Sequence, residues 1–178
     1  MKITTTAVMI ALTCVLTMLV RIPSPTKGYL NLGDCAVLFG GWLLGPIWGT
    51  IAGGVGSAFA DFFAGYPLYI PATLIIKGLM ALIVATVPAS LQKRKNAHLR
   101  VGLVISSAAA EVLMVAGYWL YEATVIGEGF VPALAGVPGN AVQGIVGAAG
   151  SYIFVEALSH TGFFKLYGIR GFAKGQTK

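Results

Sequence analysis

Residues 72–91 read ATLIIKGLMALIVATVPASL, and residues 92–100 read QKRKNAHLR. The first stretch holds one charge, Lys77, and its length matches the roughly 20 apolar residues that a helix needs to cross a bilayer. The run that follows contains Lys93, Arg94, Lys95, His98 and Arg100. A basic cluster beside an apolar span is the mark of a cytoplasmic flank. A nucleic-acid surface would instead need a basic face with interleaved aromatics on a soluble fold.

The rest of the chain repeats this pattern. Of 178 residues 57% are hydrophobic and 10% charged, against about 25% charged in an average soluble domain. Too little polar surface remains to cover a water-soluble globule. The segmentation predicts six spans, at about 3–20, 35–44, 48–64, 72–91, 101–121 and 139–158. Gly45-Pro46 separates the second from the third, since proline after glycine ends a helix. The N-terminal stretch is read as a first span, not as a signal peptide. The chain is thus expected to be a single all-α integral membrane domain, 1–178, with a basic tail over 159–178 that includes Lys165, Arg170, Lys174 and Lys178.

Orientation follows from the charges. An even number of spans puts both basic clusters on one side, which the positive-inside rule makes cytoplasmic, together with both termini. The segments 21–33, 65–71 and 122–138 then lie outside, although Arg21 and Lys27 run against the rule.

Polar groups inside spans are costly and usually face a cavity or a partner. Lys77 is expected about 9 Å below the outer end of its helix. Glu111 falls in the middle of the fifth span, Asp61 about one turn inside the third, and Asp34 at the outer surface opening the second. Glu111, Tyr118 and Glu122 share one helical face, as do Thr73 with Lys77 and Asn140 with Gln143. All of them gather in the outer half. This predicts a polar pocket that opens outward under the 21–33 loop. The bland alternative is a structural ion pair of Lys77 with Asp61 or Glu111, while amides satisfy broken helix ends. Tyr29, Tyr66, Tyr69 and Trp119 fit an interfacial belt.

Glycine, alanine and serine recur at four-residue spacing, as at Gly53/Ser57, Gly56/Ala60 and Gly147/Ser151. Close packing within the bundle explains these. Ala7 and Ala11 form a similar stripe on the first span, where a docking face for a partner is the alternative. The cysteines Cys14 and Cys35 lack metal-ligand or disulfide spacing, and neither a metal nor a cofactor is expected. Walker A, GxSxG and HExxH patterns are absent, which argues against an enzyme. A channel would need polar groups through the full depth, and no matching halves suggest a repeated secondary transporter.

Several stretches, taken in order, resemble one family. They are the Ala7/Ala11 stripe, Asn31-Leu-Gly-Asp34, Leu44-Gly-Pro-Ile-Trp-Gly49, Gly56-Ser-Ala-Phe-Ala-Asp61 and Gly65-Tyr-Pro67. Pro71-Ala-Thr-Leu-Ile-Ile-Lys-Gly78, Gly117-Tyr118, Tyr121-Glu122 and Pro138-Gly-Asn-Ala-Val-Gln-Gly144 complete the set. From about residue 4 to 158 the chain resembles the substrate-binding S component of an energy-coupling factor (ECF) vitamin transporter. The Lys-Gly and Gly-Asn-x-x-Gln patterns look closest to the subgroup linked to hydroxymethylpyrimidine and vitamin B6. The resemblance implies a six-helix bundle in a prokaryotic plasma membrane that captures a small vitamin from outside. Riboflavin or a thiamine-related compound is the alternative substrate; a membrane-embedded enzyme subunit or a facilitator is the alternative class. It implies docking, through Ala7 and Ala11, to a T component and two ATP-binding-cassette ATPases. It assigns substrate binding to Asn31, Thr73, Lys77, Glu111, Tyr118, Glu122, Asn140 and Gln143.

Overall fold

Long apolar runs favour helix, and helix dominates the computed structural model, which describes residues 2–91, 99–161 and 163–166. The order is α1 (Lys2–Leu19), β1 (Ile22–Pro23), β2 (Tyr29–Leu30), α2 (Gly33–Ala64), α3 (Ile70–Leu91), α4 (Leu99–Thr124), a 3-10 turn (Pro132–Gly136), α5 (Val137–Ser159) and the short α6 (Phe163–Leu166). Among the described residues, four helical segments are long and apolar enough to cross a membrane, and a shorter apolar helix covers Ile70–Thr86.

The sequence predicts six separate spans, and among the described residues the structure has five long helices instead. The difference lies in α2, which runs through both the second and third expected spans and contains one non-helical residue, Gly45 (φ 80°, ψ −176°). That positive φ suits glycine, which has no Cβ to clash. Pro46 follows with its fixed φ and needs no hydrogen-bond donor at the start of the new arm. The chain doubles back here. A Cβ on Gly49 would lie 2.7 Å from the Gly41 Cα, and one on Gly53 would lie 3.1 Å from a Val37 methyl. In a straight helix those pairs would stand about 12 and 24 Å apart. Thus α2 consists of two antiparallel arms, 33–44 and 46–64, packed on each other.

The arms of α2 form the centre and contact α1, α3 and α5; α4 closes the bundle between α3 and α5. Val37, Leu38, Met80, Val84, Leu103, Met114 and Val155 fill the core. The polarity is otherwise inverted relative to a soluble protein. Asp34, Lys77, Thr13 and Ser106 are buried, whereas Ile3, Val8, Val15, Val112, Ile145 and Ile153 face outward. Large side chains of this kind on the perimeter suit a hydrocarbon solvent. Gly53, Ser57, Gly56, Ala60, Gly147 and Ser151 are all buried, as packing residues should be, while Ala7 and Ala11 are exposed on α1.

The bundle has two distinguishable ends. At one, residues 22–30 form a β-hairpin, with Ile22 opposite Leu30 and Pro23 opposite Tyr29. Lys27 takes a positive φ of 63° at its tip. At the other end lie the Gly45 reversal and the start of α4. The basic residues Lys93, Arg94, Lys95 and His98, the Lys165 side chain, and Arg170, Lys174 and Lys178 fall outside the described residues. Glu122, assigned to a loop from sequence, sits on α4, which continues to Thr124.

Candidate functional site

The hairpin folds over the bundle end and is tied down by hydrogen bonds to three helices. The Tyr29 hydroxyl donates to Asp61 Oδ1 on α2 at 2.7 Å. The Thr26 hydroxyl donates to Glu122 Oε1 on α4 at 2.8 Å. The backbone N–H of Asn31 donates to Gln143 Oε1 on α5 at 2.8 Å. Tyr69, just before α3, donates to the Thr26 carbonyl at 2.5 Å and approaches Glu122 Oε1 at 3.2 Å. Burial, then the neighbouring carboxylates Asp61 and Glu122, push the Tyr29 and Tyr69 hydroxyls well above the usual phenol range. Both therefore keep their protons and act as donors.

These ties roof a small, partly open cavity of about 30 Å³, room for roughly one water molecule. Ser24, Gly28, Tyr29 and Asn31 of the hairpin segment line it, with Asp61, Tyr69, Thr73, Tyr118, Glu122, Asn140 and Gln143 below. Thr73 and Tyr118 share a hydroxyl–hydroxyl bond of 2.9 Å. The rings of Tyr69 and Tyr118 lie 6.3 Å apart. The chamber is therefore walled by phenol rings and carries two carboxylates.

Deeper in the bundle lies a second polar layer. Lys77, 2% exposed, forms a buried ion pair with Asp34, 0% exposed. Gln143 joins the two layers, because its Nε2 donates 2.7 Å to Asp34 Oδ2 while its Oε1 holds Asn31. Lys77 Nζ also sits 5.5 Å from the centre of the Tyr118 ring, within cation–π range. This pairing corrects the sequence expectation on two points. The partner of Lys77 is Asp34, not Asp61 or Glu111. And Asp34 does not sit at the surface: it is fully buried between Lys77 of α3 and Gln143 of α5.

Of the eight residues assigned to substrate from sequence, Asn31, Thr73, Tyr118, Glu122, Asn140 and Gln143 reach the cavity wall, whereas Lys77 and Glu111 do not. Glu111 lies on the floor of a different concavity, an open apolar groove of about 950 Å³ between α4 and α5 that is walled by Val112, Val115, Ala141 and Ile145. Its two oxygens are buried without a hydrogen-bond partner among the described residues. Glycines make room for it: a Cβ on Gly147 would lie 2.6 Å from Asp34 Cβ and 2.9 Å from Glu111 Oε1. Gly147→Val is accordingly expected to cost about 1–3 kcal/mol by overpacking. Thermal unfolding in detergent checks this, and an unchanged melting temperature contradicts it.

Sequence reasoning left Asp61, Tyr29 and Tyr69 out of the site, although the family-like Gly56–Asp61 run and the tyrosines beside the turn were visible. It also missed Glu156. At the far end of the bundle Arg100 donates to both Glu156 oxygens, at 3.0 and 3.2 Å, with His160 3.7 Å away. The group is about a third exposed, so a contribution of about 0–1 kcal/mol is expected. The half of the bundle away from the hairpin is therefore not purely apolar.

A protein of Pyrococcus woesei, described as an uncharacterized protein in gap 3'region, is 54% identical over 71 residues, 39% of this chain and 47% of that one. The chain thus spans about half the length of that relative. The profile of a family described as "ECF-type riboflavin transporter, S component" matches residues 1–160, nearly the whole bundle. With that extent of match, the chain belongs to the family of S components of ECF-type riboflavin transporters.

Proposed function

We propose that this chain is the substrate-capture subunit of an ECF-type importer, and that it takes up a small, single-ring, water-soluble vitamin or precursor. A vitamin B6 vitamer or hydroxymethylpyrimidine fits best. The observation that carries this reading is the chamber under the hairpin, where hydrogen-bonding groups and phenol rings line one end of the bundle. A flat, hydroxylated ring needs such a slot with a few placed donors and acceptors. Asn31, Thr73, Tyr118, Glu122, Asn140 and Gln143 contact the ligand in this account. Lys77 acts one layer below, holding Asp34 and through it Gln143. Glu111 is kept as a deeper member of the same polar layer.

The chamber, at about 30 Å³, is far smaller than the 300–1,000 Å³ or so of typical ligand pockets. Entry therefore requires the hairpin to lift, and a single ring demands less displacement than a three-ring flavin. The chain reversal at Gly45 supports reading the two arms of α2 as separate crossings, which gives six spans. With both ends on the cytoplasmic side of a prokaryotic plasma membrane, the hairpin faces outward. Delivery inward requires docking to a T component and two ATP-binding-cassette ATPases through the exposed Ala7/Ala11 face.

A second reading is riboflavin, favoured by the description of the matching family; a thiamine-related compound is a third. Calorimetry on the purified chain without ATP separates them. Pyridoxine, pyridoxal, pyridoxamine, hydroxymethylpyrimidine, thiamine and riboflavin form the panel. Sub-micromolar binding of a B6 vitamer or hydroxymethylpyrimidine is expected. Tight binding of riboflavin alone transfers the assignment to the second reading, and a flat response to every compound removes capture altogether.

A further inference from the structure

We infer that the chamber under the hairpin selects an aromatic ligand bearing a positive charge, such as a protonated amine or a cationic ring, and rejects phosphate esters. This rests on the capture reading above and adds a rule about charge to it.

The lining contains two ionisable acids, Asp61 and Glu122, and no lysine, arginine or histidine. Asp61 is 4% exposed and Glu122 3%. In each, one oxygen is held by a hairpin hydroxyl, Tyr29 for Asp61 and Thr26 for Glu122. The second oxygen, Oδ2 or Oε2, is buried and has no hydrogen bond of normal length among the described residues; the nearest hydroxyl to Asp61 besides Tyr29 is that of Thr73, which is shared with Tyr118. A buried acceptor left without a donor is costly, and a charged one more so. A ligand that brings donors or positive charge relieves that cost; a phosphate adds like charge to it.

No cationic side chain stands in the lining itself. Lys77 is engaged by Asp34 beneath the Tyr118 ring. Arg21 and Lys27 are exposed on the hairpin, outside the lining. Glu128, close behind Glu122 through a backbone bond of 3.1 Å, adds a further negative charge. The phenol walls act in the same direction, since the faces of Tyr29, Tyr69 and Tyr118 attract cations through their ring quadrupoles. Two carboxyl groups and three phenol side chains thus line one small cavity.

Pyridoxamine and pyridoxine differ by an aminomethyl for a hydroxymethyl on the same ring, and so isolate the charge. Calorimetry on the full-length chain in detergent compares these two, their 5′-phosphates, thiamine and riboflavin. The tightest ligand is expected to be a cation, with pyridoxamine at least about tenfold tighter than pyridoxine, and each phosphate at least about a hundredfold weaker than its parent, the scale of a few interactions between close charges. Asp61→Asn and Glu122→Gln are expected to narrow the pyridoxamine–pyridoxine gap. If either variant fails to fold, the wild-type panel decides alone. Equal affinity for the two B6 alcohol and amine forms, riboflavin as the tightest ligand, or a phosphate that binds as well as its parent overturns the charge rule and leaves capture intact. Silence across all six compounds overturns the capture reading itself.

Discussion

Lys77→Ala is expected to destabilise the bundle by about 3–5 kcal/mol, the cost of leaving one member of a buried ion pair alone. The reasoning starts from Asp34, whose two oxygens are each engaged: Oδ1 by Lys77 and Oδ2 by Gln143. Removing the ammonium leaves the carboxylate sealed among α2, α3 and α5 with only the neutral amide as donor. Glu111 aggravates this, because both acids crowd the same glycine, Gly147. Replacing both partners with apolar groups, Asp34→Leu with Lys77→Met, should cost less than the single change, since no isolated charge remains. It is not cost-free, as the Gln143 amide then loses an acceptor worth about 1–3 kcal/mol in a buried site. Thermal or denaturant unfolding in detergent measures both variants. A Lys77→Ala protein that melts with the wild type shows that the pair is not structural.

The second large effect concerns α1. Thr6, Met9, Thr13 and Thr17 are its buried residues, at the spacing of one helical stripe. Ala7 and Ala11 are exposed and lie off that stripe. Small side chains let a second helix approach closely where apolar burial supplies no driving force. Under the proposed docking role, Ala7→Leu with Ala11→Leu reduces cellular uptake to background while ligand affinity of the isolated chain stays unchanged. Uptake at the wild-type rate removes these residues from the docking face. Loss of affinity in the isolated chain points to a packing role instead.

Much of the architecture can be read from residues whose physics is local. The apolar runs mark α1, α3, α4 and α5 to within a few residues, and Gly45-Pro46 marks the reversal because a positive φ and a missing N–H are properties of those two residues alone. What escaped was set by distant partners. Asp34 opens a helix in the sequence and looks like a surface cap, but its ligands come from residues 43 and 109 positions away. Glu111 and Glu122 share a face of α4. They end in different places, one against Gly144 and Gly147 and the other under Thr26, because the helix crosses two neighbours along its length. The hairpin was legible only as a polar loop, since its pairs, Ile22–Leu30 and Pro23–Tyr29, carry no strong strand signal. Tyr29 and Tyr69 matched the interfacial belt equally well, so their inward turn toward Asp61 and Glu122 required the fold to be seen.

Native mass spectrometry of the chain purified with each vitamin addresses the central claim most directly, because it reports occupancy without assuming an affinity. The predicted result is a 1:1 complex with a single-ring vitamin, lost in a Gln143→Leu variant that removes the bridge between Asn31 and Asp34. The ligand-free mass alone, under every vitamin tried, contradicts the claim that the chamber beneath the hairpin is a capture site.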